Sequence, residues 1–122
     1  MLPQPNRLRR RADFVRVTRT GRRCTRGSLT AYLLAPDAGR RDGSDQPRVG
    51  FVVSRALGGA VVRNAVTRRL RVVARERLDR LPGGATVVLR ALPSAASAGM
   101  ADLAADLDAC LDRLLGRAAV TS

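Results

Sequence analysis

Apolar and polar positions alternate along this chain with two different periods, and the changes of period divide it into elements. In Ala12-Asp13-Phe14-Val15-Arg16-Val17-Thr18-Arg19-Thr20, residues Phe14, Val17 and Thr18 fall at i, i+3 and i+4, which predicts a short helix over 12–20. Gly21 is expected to end it, as a residue that tolerates positive φ just past a helix. Cys24 to Leu34, and Ser28 to Leu34 above all, reads as strand, with Leu29, Ala31 and Leu33 alternating against Thr30, Tyr32 and Leu34. Residues 36–47 are rich in proline, glycine and aspartate and predict a flexible loop.

Arg48-Val49-Gly50-Phe51-Val52-Val53 reads as a largely buried strand. Gly58-Gly59 interrupts, and a helix is expected from Ala60 to about Leu81, ended by Pro82-Gly83-Gly84. At about 100° per residue, Val62, Val66, Leu70 and Val73 share one arc of roughly 80°. Asn64, Thr67, Arg68, Arg71 and Arg75 lie opposite. Ala85 to Ala91 is the next strand, and residues 93–99 form a breaker-rich link. The last helix carries Met100, Leu103, Ala104, Leu107, Leu111, Leu114 and Leu115 on one stripe, with Asp102, Asp106 and Asp112 outside it, and should close the core. A strand, helix, strand run predicts parallel pairing of the last two strands in a small α/β sandwich. At 122 residues the chain fits one domain, 1–122, with a basic, proline-bearing arm over 1–10.

Charge changes this picture from a generic fold to a surface with a purpose. The formal net charge is +13, and all 23 basic residues are arginine. Residues 1–90 hold 21 arginines against 6 acids, whereas 91–122 hold 2 arginines and 4 aspartates. Arginine's planar fork pairs bidentately with phosphate and stacks on bases, so a polyanionic partner is indicated. The helix after Gly58-Gly59 concentrates this: its outer face carries arginines without interspersed lysine or glutamate except Glu76, so like charges repel until an anion relieves them. Small residues before a helix also let a phosphate approach its unpaired N–H groups.

Equally informative is the chemistry that is missing. There is no histidine and a single glutamate, Glu76, so a histidine-based ribonuclease, a Ser-His-Asp triad and a histidine-bearing zinc site are excluded. No phosphate-binding or dinucleotide loop motif occurs. Asp37, Asp42 and Asp45 sit beside Arg40 and Arg41 in the predicted loop and read as solvated charges, not a metal cluster. Cys24 and Cys110 have no ligand spacing and read as reduced cytoplasmic thiols. The N-terminus lacks the apolar core of a signal peptide, and no apolar run approaches the roughly 20 residues of a membrane span. The protein alone is therefore expected to catalyse nothing.

Val53-Ser54-Arg55-Ala56-Leu57-Gly58-Gly59-Ala60-Val61-Val62-Arg63-Asn64-Ala65-Val66-Thr67-Arg68-Arg69-Leu70-Arg71 resembles the arginine-asparagine signature of the protein subunit of bacterial ribonuclease P. The likeness continues through Asn6-Arg7-Leu8, Asp13-Phe14 and Val17 before Gly21, Tyr32, Arg48-Val49-Gly50, and Arg90 with Pro93. Four positions depart from the usual pattern: Gly59 for asparagine, Ala65 for the second arginine, Thr67 for a basic residue and Thr18 for a hydrophobe or aromatic. Arg69, with Arg22, Arg23 and Arg26, is expected to restore charge from neighbouring positions.

The resemblance implies a two-layer α/β (α+β) sandwich of order αβββαβα with a left-handed βαβ crossover, ribosomal protein S5 domain 2-like, an exception to the usual handedness. It implies an RNA-binding subunit that helps a catalytic RNA remove the 5′ leader from precursor transfer RNA, broadening substrate binding and lowering the Mg²⁺ demand. Catalysis and Mg²⁺ would belong mainly to the RNA, with no organic cofactor. Ser54, Arg55, Arg63, Asn64, Arg68, Arg69 and Arg71 would contact the catalytic RNA. Phe14, Val17, Thr18 and Tyr32 would form the cleft that receives the leader, the aromatics stacking on unpaired bases. The expected partners are those two RNAs, in the cytoplasm, with no membrane and no stable protein partner. A ribosomal or other structural RNA-binding protein is the alternative. A helix-turn-helix DNA binder is disfavoured because strands flank the basic helix on both sides.

Overall fold

In the computed structural model the described residues are 7–8, 10–35 and 46–121, with the side chains of 116–121 left aside. Most of the basic arm, with Asn6, and residues 36–45 of the predicted loop, with Asp37, Asp42 and Asp45, lie outside them. The elements are α1 (Arg11–Thr20), β1 (Arg22–Arg26), β2 (Leu29–Leu34), β3 (Arg48–Val52), α2 (Ala60–Arg75), β4 (Thr86–Ala91) and α3 (Met100–Thr121), the αβββαβα order. They build one sheet of order β1-β2-β4-β3, antiparallel except for the parallel pair β3–β4, which α2 connects.

Strand alternation splits the apolar residues between the two faces of this sheet. Leu29, Ala31, Leu33, Val49, Val87, Leu89 and Ala91 join the main core with α2 and α3. Tyr32 and Val88 point the other way, into a smaller cluster with Leu8 and Val17 under α1. The main sandwich is thus sheet against α2 and α3, and the ten-residue α1 covers only part of the second face. What it leaves open becomes a cleft.

Three expectations change here. The segment from Cys24 to Leu34 is not one strand but the end of β1, a two-residue turn and β2, with Arg26 opposite Leu29 and Gly27 at φ 51°. The Gly-Ser pair in the sequence is the hairpin signal for this turn. Gly21 does end α1, but at φ −75°, so positive φ is not its reason. A Cβ there would lie 2.5 Å from the Val17 carbonyl oxygen and 2.9 Å from that of Leu33, so glycine is needed to let α1 descend onto β2.

The third change is the end of α2, which stops at Arg75 instead of near Leu81. The chain tightens into bonds from the Arg77, Arg80 and Leu81 N–H groups to Ala74, Arg77 and Leu78 carbonyls before Pro82. That turn delivers Arg77 and Arg80 to α3. Arg77 clasps Asp108 with Nε at 2.6 Å and Nη2 at 3.1 Å, while Arg80 donates to Asp108 and to Asp112. Asp106 accepts from the Ser28 N–H and hydroxyl, and Asp102 from the Gly99 N–H. The acidic face of the last helix therefore serves the fold.

The bidentate hydrogen bond from Arg77 holds the Asp108 carboxyl below its ordinary range against the opposing effect of burial. Because the folded value is depressed, this stabilisation is present above the unfolded value and is lost as pH falls through the folded one. Asp108 is 43% exposed, so Asp108→Asn should cost only about 0.5–1 kcal/mol at neutral pH. Thermal melts of variant and parent should begin to draw together as pH falls below about 4 and coincide only below the depressed folded value of Asp108.

Leu103, Leu107, Leu111 and Leu114 of the predicted α3 stripe are buried and Ala104 and Leu115 half-buried, but Met100 is 43% exposed. Both cysteines are buried and free, and the Cys110 thiol donates to the Cys24 carbonyl at 3.3 Å. Burial pushes Cys110 up to about 12 and keeps it protonated.

Candidate nucleic-acid interfaces

The first interface is the outer face of α2. Val66, Leu70, Val73 and Ala74 anchor the helix in the core, while Val62, expected among them, is 36% exposed beside Gly58. Anchoring this arc turns Asn64, Arg68, Arg71 and Arg75 to solvent. At 1.5 Å rise per residue this row runs about 16 Å. None of its side chains has a hydrogen bond or ion pair to another described residue. Ser54 and Arg55 are exposed in the turn leading in. Gly58 ends that turn at φ 140°, a conformation closed to other residues, and Gly59 takes the N-cap position of α2.

The departures from the signature acquire physical content. A Cβ on Gly59 would meet nothing within 4 Å, so the larger asparagine would fit and glycine is not sterically required. Thr67 turns its hydroxyl back to the Arg63 carbonyl at 2.8 Å. Arg69 is half-buried and donates to the Ala98 carbonyl at 3.3 Å, so it ties α2 to the link before α3. Arg63 is also half-buried, with Nε enclosed and lacking an acceptor. Arg22, Arg23 and Arg26 do not restore charge to α2. They belong to β1, at the sheet edge opposite β3, and α3 packs against both β1 and α2.

The second interface lies on the other face of the sheet. A cleft of about 620 Å³ opens between α1 and β3, lined by Arg11, Phe14, Val15 and Thr18 from the helix, and by Phe51 to Val53 and Arg90 from the sheet side. Of the four residues expected there, Phe14 and Thr18 line it. Val17 and Tyr32 are 1% and 7% exposed and pack beneath, so they shape the cleft without facing it.

Gly50 explains how Phe14 reaches this position. A Cβ at residue 50 would overlap the Phe14 ring and come within 3.0 Å of the Leu8 Cβ, so the bare backbone of β3 is the seat on which the ring rests. Sequence reasoning did not assign Arg11, Val15, Phe51, Val52, Val53 and Arg90 to the cleft. Of these, Val52 could have been found from the strand period, since it alternates along β3 with the core-facing Val49 and Phe51.

A model of the Ribonuclease P family matches residues 2–115. The ribonuclease P protein component of Streptomyces griseus is 55% identical over 119 residues, covering 95% of this chain and 97% of that one. The component from Nocardioides is 52% identical over 93% of this chain and 95% of its own. Among solved structures, the ribonuclease P protein of Staphylococcus aureus superposes with a TM-score of 0.75 at 22% identity, over 88% of this chain and 94% of that one, and shows the fold. The Thermotoga maritima protein gives 0.68 at 25% identity with the same coverages. With a matching model over nearly its whole length and relatives above half identity, the chain belongs to the Ribonuclease P family, that of the protein component of this endoribonuclease.

Proposed function

We propose that this protein component grips the catalytic RNA with the outer face of α2 and receives the 5′ leader of precursor transfer RNA in the cleft between α1 and β3. One observation carries the reading: two exposed surfaces of different chemistry lie on opposite faces of one sheet. The α2 row is cationic, unpaired and without aromatics, as backbone phosphates require. The cleft is apolar, offers Phe14 for stacking with Val52 beneath it, and has Arg11 and Arg90 at its rim for phosphates, as a single strand requires.

Holding leader and catalytic RNA at once broadens the range of substrates bound and neutralises phosphates that would otherwise need Mg²⁺. The described residues form no group of three or more carboxylates or thiols able to hold a metal ion, and the proposal places Mg²⁺ on the RNA. The assembly would work in the cytoplasm, where precursor transfer RNA is made. Among the described residues no helix is long and apolar enough to cross a membrane.

Arg68→Ala tests the α2 surface. The slope of log affinity for ribonuclease P RNA against log salt should fall in magnitude by about 1, the value for one lost phosphate contact. An unchanged slope rejects that role for Arg68.

A further inference from the structure

The arginines of β1 serve neither surface. Only Cys24 of this strand is buried, and Arg22, Arg23 and Arg26 are exposed around it. Arg22 reaches the Leu114 carbonyl at 3.2 Å, whereas Arg23 and Arg26 have no partner among the described residues. Exposed Arg19, in the last turn of α1, leads into the strand, and exposed Arg113 adjoins the Leu114 that Arg22 bonds. The two sheet edges differ: β3 is bridged by Arg7 at Val49, but no described strand lies outside β1.

Blunting a strand edge against aggregation needs a charge or two. Here the edge strand carries three, Arg22 and Arg26 on the Cys24 face toward α3 and Arg23 on the face that Tyr32 shares, and the nearby acids are committed to the fold. Asp106 holds the turn at Ser28, while Asp108 and Asp112 are neutralised by Arg77 and Arg80.

We infer that the β1 edge is a third RNA-contacting surface, gripping the phosphate backbone of the catalytic RNA at a point separate from α2. The inference rests on the reading that this chain binds that RNA. Aromatic residues are absent from the edge, so it suits backbone phosphates and not unstacked bases. Three strand spacings, about 14 Å, separate it from β3 and the leader cleft. It shares α3 as a neighbour with α2. One folded RNA can therefore straddle α3, whose Asp108 and Asp112 are neutralised by Arg77 and Arg80, and meet arginines on both sides.

The test is an Arg23→Gln/Arg26→Gln variant, with Arg22 kept because it bonds α3. Its binding to ribonuclease P RNA is measured across salt concentrations beside Arg68→Ala, with melting temperatures as the folding control. The salt slope should fall in magnitude by about 2 and affinity at moderate salt by roughly tenfold or more. The Arg23→Lys/Arg26→Lys variant, which keeps both charges, should retain most of the slope. A parental slope in the glutamine variant while Arg68→Ala lowers it overturns the inference alone. Parental slopes in both variants overturn the underlying reading as well. A change confined to precursor transfer RNA binding by the assembled holoenzyme also overturns the inference.

Discussion

Tyr32→Ala is expected to destabilise the chain by about 3–4 kcal/mol, the cost of deleting a buried aromatic ring. The ring is 7% exposed and packs with Leu8, Val17 and Val88 between α1 and the sheet. Removing it leaves a cavity under the helix that forms one wall of the leader cleft. Precursor and mature transfer RNA binding should then weaken together, following the loss of folded protein. Phe14→Ala makes the contrast, because this ring is only partly buried and faces the cleft. It should cost less stability, about 1–2 kcal/mol, yet selectively weaken binding of leader-bearing precursor. Urea unfolding and the ratio of precursor to mature affinity measure both effects. A selective precursor loss in a fully stable Tyr32→Ala protein would show that Tyr32 faces the leader after all.

The second large effect is expected at Gly50→Ala. One methyl group at this position overlaps the Phe14 ring and crowds Leu8, so the ring must leave its seat on β3. Overpacking of this kind costs about 1–3 kcal/mol. It also shifts the one aromatic that α1 contributes to the cleft, so leader discrimination should fall beyond what the stability loss explains. Affinity for ribonuclease P RNA should stay at the parental level once folding is matched, because α2 lies on the opposite face. A loss of catalytic RNA binding equal to the loss of leader binding would contradict the separation of the two surfaces. Restoration of stability by Phe14→Ala in the Gly50→Ala background would identify the clash as the cause.

The sequence carried the outer face of α2 well, because a 3.6-residue period fixes which side chains turn away once Val66, Leu70 and Val73 are buried. Parallel pairing of β3 and β4 followed from the strand, helix, strand order. The cleft was half legible. Periodicity places Phe14 and Val17 on one side of α1, but which of them meets open space depends on how far α1 extends across the sheet.

That packing is set by contacts between residues distant in sequence. Gly21 and Gly50 are local signals of turns and breaks, yet each is glycine because another segment's atoms come too close for a Cβ. Charge was legible in amount but not in place. Arg22, Arg23 and Arg26 lie within a few dozen residues of the signature in sequence, and the strand order sends them to the far edge. The aspartates of α3 were similarly unreadable, since their partners Arg77, Arg80 and Ser28 come from two other parts of the chain.

The most direct measurement is cleavage of a leader-bearing precursor transfer RNA by ribonuclease P RNA, at a Mg²⁺ concentration too low for the RNA alone, with and without the purified chain. The chain should restore cleavage, and its Phe14→Ala variant should restore it less. Equal cleavage rates with and without the protein would contradict the proposed function.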